Sequence, residues 1–341
     1  MCNLSGYVGS ERAAPVLIEM ARKQEGFAGG FYTGIATVSD GTIHCAKVIG
    51  DLSVLLHSTD AADFPGTVGI LHSRTRSGGG REWAQPFVSS SGRLAYMSHG
   101  DVGAFRSLWN GSDVAVELFG KGVDFTTREQ SSRGDYEMAL PDGSVVHGSE
   151  VMCNLIEDEK TGDPSQDLSH AYSRFPAEIA GAMVHVDAPD RLFASRINKP
   201  LVAGTVRHGA CLATTAMALP EPGMSRREIE PNASVSIGAF GVETRRIEPA
   251  PGVVSELPDA ETTDELVLRL LSSEKGRHFG AIKRGLQKER PGDGLRQDDA
   301  SVYGALERLS RAGRVYRKEI RLPGVLEGLT APKSVFFRAA D

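Results

Sequence analysis

No apolar run in these 341 residues approaches the roughly 20 needed to cross a bilayer as a helix, so no membrane segment is expected. The start, Met1 to Gly9, has neither a basic stretch nor an apolar core. It is therefore no secretory signal, and a cytoplasmic location is the default expectation. There is no C-x-x-C pair either. Cys2, Cys45, Cys153 and Cys211 are widely spaced, which indicates neither a disulfide framework nor a zinc site; no metal and no cofactor are expected. With 40% hydrophobic and 24% charged residues, the chain is far from the balance that keeps polypeptides disordered. The net charge of −6 is uneven: from Asp264 onward 16 Lys and Arg face 11 Asp and Glu, so that stretch carries +5 and the first 263 residues −11. The tail is a separate piece of physics.

Short apolar or alternating runs at 4–9, 33–39, 43–49, 67–72 and 93–98, broken by Gly, Asp and Ser, read as strands with turns. Helical spacing marks 12–23, where Val16, Leu17, Met20 and Ala21 recur on one face, and also 149–158 and 167–182. Further strands are expected at 182–186, 191–196, 201–203 and 211–214. Two batches of strands with helices between them predict an α+β domain of mainly antiparallel sheets. Residues 248–263, with three prolines and several acids, read as a linker. Beyond it, helices at 264–271, 278–286 and 300–312 and strands at 314–322 and 334–338 resemble a winged helix. The predicted division is 2–247, a linker at 248–263, and 264–341.

A cysteine exposed as the mature N-terminus carries both parts needed for acyl transfer: a thiol nucleophile and, in its own α-amine, a base with a pKa near 8. Cys2 meets this condition once Met1 is removed, and the strand after it would hold the nucleophile at a buried strand end. Acyl transfer also needs oxyanion donors, and a cation if the substrate bears a carboxylate. The run His72-Ser73-Arg74-Thr75-Arg76-Ser77 before three glycines places Arg74, Thr75 and Ser77 at a strand-to-loop turn as substrate-binding candidates. The run Ser98-His99-Gly100-Asp101 offers the His99 ring and the Gly100 amide as donors, with Asp101 beside them.

These segments resemble the class II glutamine amidotransferases, especially the glutaminase half of the glucosamine-6-phosphate synthases, over roughly residues 2–245. The family's Cys-Gly-Ile-x-Gly-Tyr-x-Gly start matches Cys2-Asn3-Leu4-Ser5-Gly6-Tyr7-Val8-Gly9. Its His-Thr-Arg-Trp matches His72-Ser73-Arg74-Thr75, and its Asn-Ala-His-Pro matches Trp83-Ala84-Gln85-Pro86. The stretches around Glu150 to Glu157, Asp190 to Arg196 and Pro200 to Val202 follow in the same order. The resemblance implies a four-layer αββα N-terminal-nucleophile hydrolase sandwich, here followed by a small winged-helix-like domain. It also implies glutamine hydrolysis through a Cys2 thioester, with Arg74 holding the substrate carboxylate and ammonia passing to a separate acceptor protein.

The departures are equally definite. The family's oxyanion asparagine falls on His99, an early arginine on Ala28, and the acid for the glutamine ammonium on Gly148, after an insertion at about 128–146. Asp101, Asp135 and Asp142 are the candidate replacements. These changes leave two alternatives beside glutamine hydrolysis: a ligand-sensing regulator acting through the tail, or a hydrolase of another carboxylate-bearing amide. Lys283, Arg284, Arg308, Arg311, Arg314, Arg317 and Lys318 give the tail a possible nucleic-acid contact, opposed by Asp298, Asp299 and Glu307.

Overall fold

The computed structural model describes residues 2–101, 110–131, 136–175, 178–220, 225–239, 241–272, 274–292 and 296–340. Strands are numbered along the chain. One sheet contains seven: β1 (Asn3–Gly9), β2 (Tyr32–Ser39), β3 (Thr42–Ile49), β4 (Val68–Arg74), β11 (Val202–Val206), β12 (Gly209–Ala213) and β13 (Arg226–Glu228), in the order β13-β11-β12-β1-β4-β2-β3. A second contains β5 (Phe87–Val88), β6 (Leu94–Asp101), β9 (Glu178–His185), β10 (Leu192–Arg196), β14 (Ala233–Gly238) and β15 (Gly241–Arg246), in the order β15-β14-β10-β9-β6-β5. All the described pairings are antiparallel, as the strand batches predict.

Because successive strand side chains alternate faces, β1 splits its residues cleanly. Leu4 and Val8 join Val68, Ile70, Met97, Ala182 and Val235 in a core between the two sheets. Tyr7 instead faces α1 (Ala13–Ala28) and α2 (Leu52–Ser58), with Leu17, Leu55 and Leu71. On the far side of the second sheet, α3 (Gly111–Gly120), α4 (Gly148–Glu159) and α5 (Pro164–Arg174) pack on Tyr96, Met183 and Phe193. Four layers result: helices, sheet, sheet, helices.

The helix expected at 167–182 is corrected. It runs as α5 and stops at Arg174, and Glu178–His185 is a strand. Its small residues have a packing reason, since a Cβ on Gly181 would fall 2.5 Å from the hydroxyls of both Tyr96 and Tyr172, which bond each other at 2.8 Å. Part of the insertion at 128–146 forms a hairpin, β7 (Glu137–Ala139) with β8 (Val145–His147).

The linker is also shorter than expected. α6 (Ala260–Leu270) begins inside it, with Asp259 accepting from Thr262 N at 2.7 Å as its cap; an acid that reads as linker is a helix start. There follow β16 (Arg277–His278), α7 (Phe279–Glu289), α8 (Asp298–Arg311), β17 (Val315–Pro323) and β18 (Thr330–Arg338), with a sheet order β16-β18-β17. This unit shares a core with the end of α1: Phe27 packs among Phe279, Tyr303, Leu306 and Phe336.

Candidate active site

Strand parity assembles the site. Cys2 continues the β1 face that carries Leu4 and Val8 into the gap between the sheets, and His72 and Arg74 continue the β4 face of Val68 and Ile70. On β6, His99 shares the face of Ala95 and Met97. β1 pairs with β4 in the register Leu4 to His72, so Cys2, His72 and Arg74 meet at one end of the gap.

That end is held by side chains where the ladder stops. Asn3 Nδ2 donates to Gln24 O at 2.7 Å and Glu25 O at 2.9 Å, and Leu4 N donates to Thr214 Oγ1 at 2.8 Å. Cys2 itself is 5% exposed, with Sγ 3.9 Å from Thr75 Oγ1. Burial pushes its thiol up, but the adjacent His72, with smaller contributions from the chain N-terminus and the Thr75 backbone, brings it down from 9.0 to about 6. His72 Nε2 donates to Ser98 O at 3.1 Å. Nδ1 makes no conventional hydrogen bond among the described residues; the thiol is its polar neighbour. A Cys2 thiol lowered to about 6 is ionised at neutral pH. Sequence reasoning quoted His72 in a motif and gave it no role.

Arg74 is buried, with Nη1 donating to Gly78 O at 3.0 Å, Nη2 to Ser77 O at 3.3 Å, and its guanidinium 4.6 Å from the Tyr32 ring centroid. The loop it closes needs its glycines: Gly78 and Gly79 have φ of +82° and +80°, and a Cβ on Gly79 would sit 2.3 Å from Trp83 Cγ. Ser77 Oγ donates back to Thr75 O at 3.3 Å.

His99 is 2% exposed and burial lowers it to about 3, so it is neutral. Its Nε2 lies 3.4 Å from Pro200 O. The tautomer that makes this bond leaves Nδ1 without a proton, and that nitrogen has no partner among the described residues; in this state the ring is no donor there. Gly100, with φ +118°, follows it within β6. Asp101 ends β6, but its side chain and Asp135 lie outside the described residues. Asp142 is committed elsewhere, to Ser144 at 2.6 Å and to Arg128. Gly148 opens α4, and a Cβ there would meet Met138 Cε, the flexible end of that side chain, at 2.9 Å; the position itself supplies no acid.

The tail reaches this end of the molecule. Asp299 on α8 is buried and pairs with Lys199 at 3.4 Å, beside Pro200, and with Lys283 at 2.9 Å. Arg196 bonds Gln297, Arg226 pairs with Glu307, and Arg321 pairs with Asp51 at 2.8 Å. Tyr303 is 3% exposed and its hydroxyl has no hydrogen-bond partner among the described residues. Burial, then Asp299 and the Cys2 thiolate, raise it well above the ordinary phenol range. Sequence reasoning weighed Lys283, Asp299 and Glu307 only for nucleic acid and passed over Tyr303, because nothing local announces which surface a tail will meet.

Among the described residues no cluster of His, Cys, Asp and Glu could hold a metal ion, and no helix is long and apolar enough to cross a membrane. No protein-family model matches the chain. It is 28% identical over 260 residues to the glutamine–fructose-6-phosphate aminotransferase (isomerizing) of Corynebacterium efficiens, covering 74% of this chain and 38% of that one. It is 30% identical over 212 residues to the protein of the same name from Leifsonia xyli, covering 60% and 30%. The chain thus spans well under half the length of these relatives. Among solved structures, the glutamine phosphoribosylpyrophosphate amidotransferase of B. subtilis superposes with a TM-score of 0.61 at 16% identity, over 84% of this chain and 64% of that one. That likeness establishes the fold.

Proposed function

We propose that this chain is an amidohydrolase of the glutamine amidotransferase kind, acting through Cys2. The reading is carried by one observation: a buried thiol lowered to about 6 beside His72, at the end of an inter-sheet gap into which Arg74 also points. In the proposed reaction the Cys2 thiolate attacks the side-chain amide carbon, forming a C–S bond and an oxyanion that the Gly100 N–H receives. The α-amine freed by removal of Met1 delivers a proton to the leaving nitrogen, ammonia departs, and water hydrolyses the thioester. Arg74 takes the substrate carboxylate, with Thr75 and Ser77 shaping that loop. His99 forms the wall behind Gly100.

Glutamine is the proposed substrate, by analogy with the named activity of the relatives. Because the chain spans only part of their length, the ammonia acceptor is assigned to a separate protein. A second reading, hydrolysis of a different carboxylate-bearing amide, is favoured by Gly148, which offers no carboxylate to a substrate ammonium. The tail is proposed to be winged-helix-like, and its α8 to be a docking helix: Asp298, Asp299 and Glu307 are all buried, and acids on that face suit Lys199 and Arg226 far better than phosphate.

Incubation with a glutamine-analogue electrophile, followed by peptide mass spectrometry and an ammonia assay over a panel of amides, tests the reading. Label on Cys2 with Met1 absent and ammonia from glutamine is the expected result. Retained Met1, or label only on another cysteine, refutes it.

A further inference from the structure

Where the tail meets the end of α1 there is a cleft of about 310 Å³, within the size range of small-molecule sites. Its walls are unequal in charge. Lys283, Arg284 and Lys333 line it together with a single carboxylate, Asp299, and that carboxylate is already shared between Lys283 at 2.9 Å and Lys199 at 3.4 Å. Neither Arg284 nor Lys333 has a carboxylate partner among the described residues. Burial lowers the Lys333 ammonium, and the neighbouring Arg284 lowers it further. Two cations held close together in a partly dry cleft repel each other, and an anion placed between them would relieve that repulsion. Phe27 and Phe279 supply an apolar wall. Thr75, whose hydroxyl lies 3.9 Å from the Cys2 thiol, forms the floor on the catalytic side.

We infer that this cleft is a binding site for a small oxyanion-bearing ligand, of phosphate or carboxylate class, gripped by Arg284 and Lys333 of the tail against the end of α1. The position is distinct from Arg74, which serves the inter-sheet gap. A ligand here bridges the two units and lies next to the residue in contact with the nucleophile. Asp299 carries the link further, because it ties the cleft lysine Lys283 to Lys199, whose neighbour Pro200 is bonded to His99. The site does not require turnover at Cys2, so it stands or falls apart from the hydrolase reading.

The test is isothermal titration calorimetry of the full-length chain with inorganic phosphate and, separately, malonate, at constant ionic strength with chloride as the reference. One saturable site for at least one of the two is expected, and which one binds assigns the class. Arg284→Gln changes an exposed side chain and should leave the fold intact, yet weaken binding about tenfold or more, as expected for one charged hydrogen bond. Adding Lys333→Gln should abolish it. The same substitutions should leave Cys2 labelling by the glutamine-analogue electrophile in place. No saturable binding of either anion, or unchanged affinity in both variants with native circular dichroism, overturns the inference.

Discussion

Replacing His72 with Gln separates the two opposing effects on Cys2. The side-chain amide can still donate to Ser98 O, but the imidazole beside the thiol is gone while the burial remains. The wild-type fall from 9.0 to about 6 is a preference for thiolate of about a thousandfold, or about 4 kcal/mol. Without His72 the midpoint should climb to 9 or above. The readout has to be the midpoint, because the rate alone misleads. At pH 7 the thiolate fraction drops about ninetyfold, but a thiolate of higher pKa is intrinsically more nucleophilic, by about 15- to 30-fold over that range, leaving a net slowing of only about three- to sixfold. Iodoacetamide labelling of the N-terminal peptide, followed from pH 5 to 10 by mass spectrometry, gives the curve. Cys45 is pushed up to about 11 by burial and Cys153 well above its ordinary value, so neither competes near neutrality. The lowered thiol also stabilises the fold, fully above its unfolded value of 9.0 and progressively less as pH falls through about 6. A wild-type midpoint of 8 or higher, or one unmoved by the substitution, refutes the reasoning.

Glu25 is the opposite case: burial first, and then Asp51, raise it from 4.5 to about 7 while its Oε1 accepts from Leu52 N at 2.6 Å. A raised carboxyl favours folding below its unfolded value and loses that contribution as pH rises through about 7. Glu25→Gln should therefore be nearly neutral at pH 4 and stabilising by about 2–3 kcal/mol at pH 8 in urea denaturation, and parallel curves at both pH values would contradict this. Asp299→Ala removes the buried carboxylate that Lys199 and Lys283 both contact and should cost about 1–3 kcal/mol, whereas a change under about 0.5 kcal/mol in the same measurement would mean that the tail does not dock through this carboxylate. Arg74→Lys loses the guanidinium fork and should raise KM for glutamine about ten- to hundredfold with Cys2 labelling by iodoacetamide unchanged; an unaltered KM would remove Arg74 from the substrate site.

Much of the first domain was legible because strands announce themselves by alternation. The runs ending in His72-Ser73-Arg74 and Ser98-His99-Gly100 lie within strands whose parity puts Ile70, His72 and Arg74 on one face and Met97 and His99 on another. Pairing was not legible. That Cys2 lies beside His72 depends on β1 lying next to β4 in one particular register, and no local pattern encodes a neighbour some 70 residues away. The stretch at 167–182 failed for a related reason. Small residues such as Ala180, Gly181 and Ala182 suit a helix or a tightly packed strand equally, and the Tyr96 and Tyr172 hydroxyls that make Gly181 necessary come from elsewhere. The candidates Cys2 and Arg74 came from motif and chemistry, while the places of Asp299 and Tyr303 required the tertiary structure.

The same acids show why the tail was the hardest part to read. Asp298, Asp299 and Glu307, read from sequence, weigh against nucleic acid and point to nothing else. In place, Asp299 faces Lys199 and Lys283, and Glu307 faces Arg226. A tail of charge +5 against a first domain of −11 favours docking at long range, as Arg321 on Asp51 does locally, but along α8 the signs are inverted, with its acids meeting cations of the sheet domain. Such local inversion fixes register: sliding α8 by one turn would take the buried Asp299 carboxylate away from both lysines, and a buried charge that loses its ion-pair partners is strongly destabilising. The docked position is thereby singled out, and with it the placement of Tyr303 near Cys2 and of Lys333 and Arg284 across the cleft from Thr75.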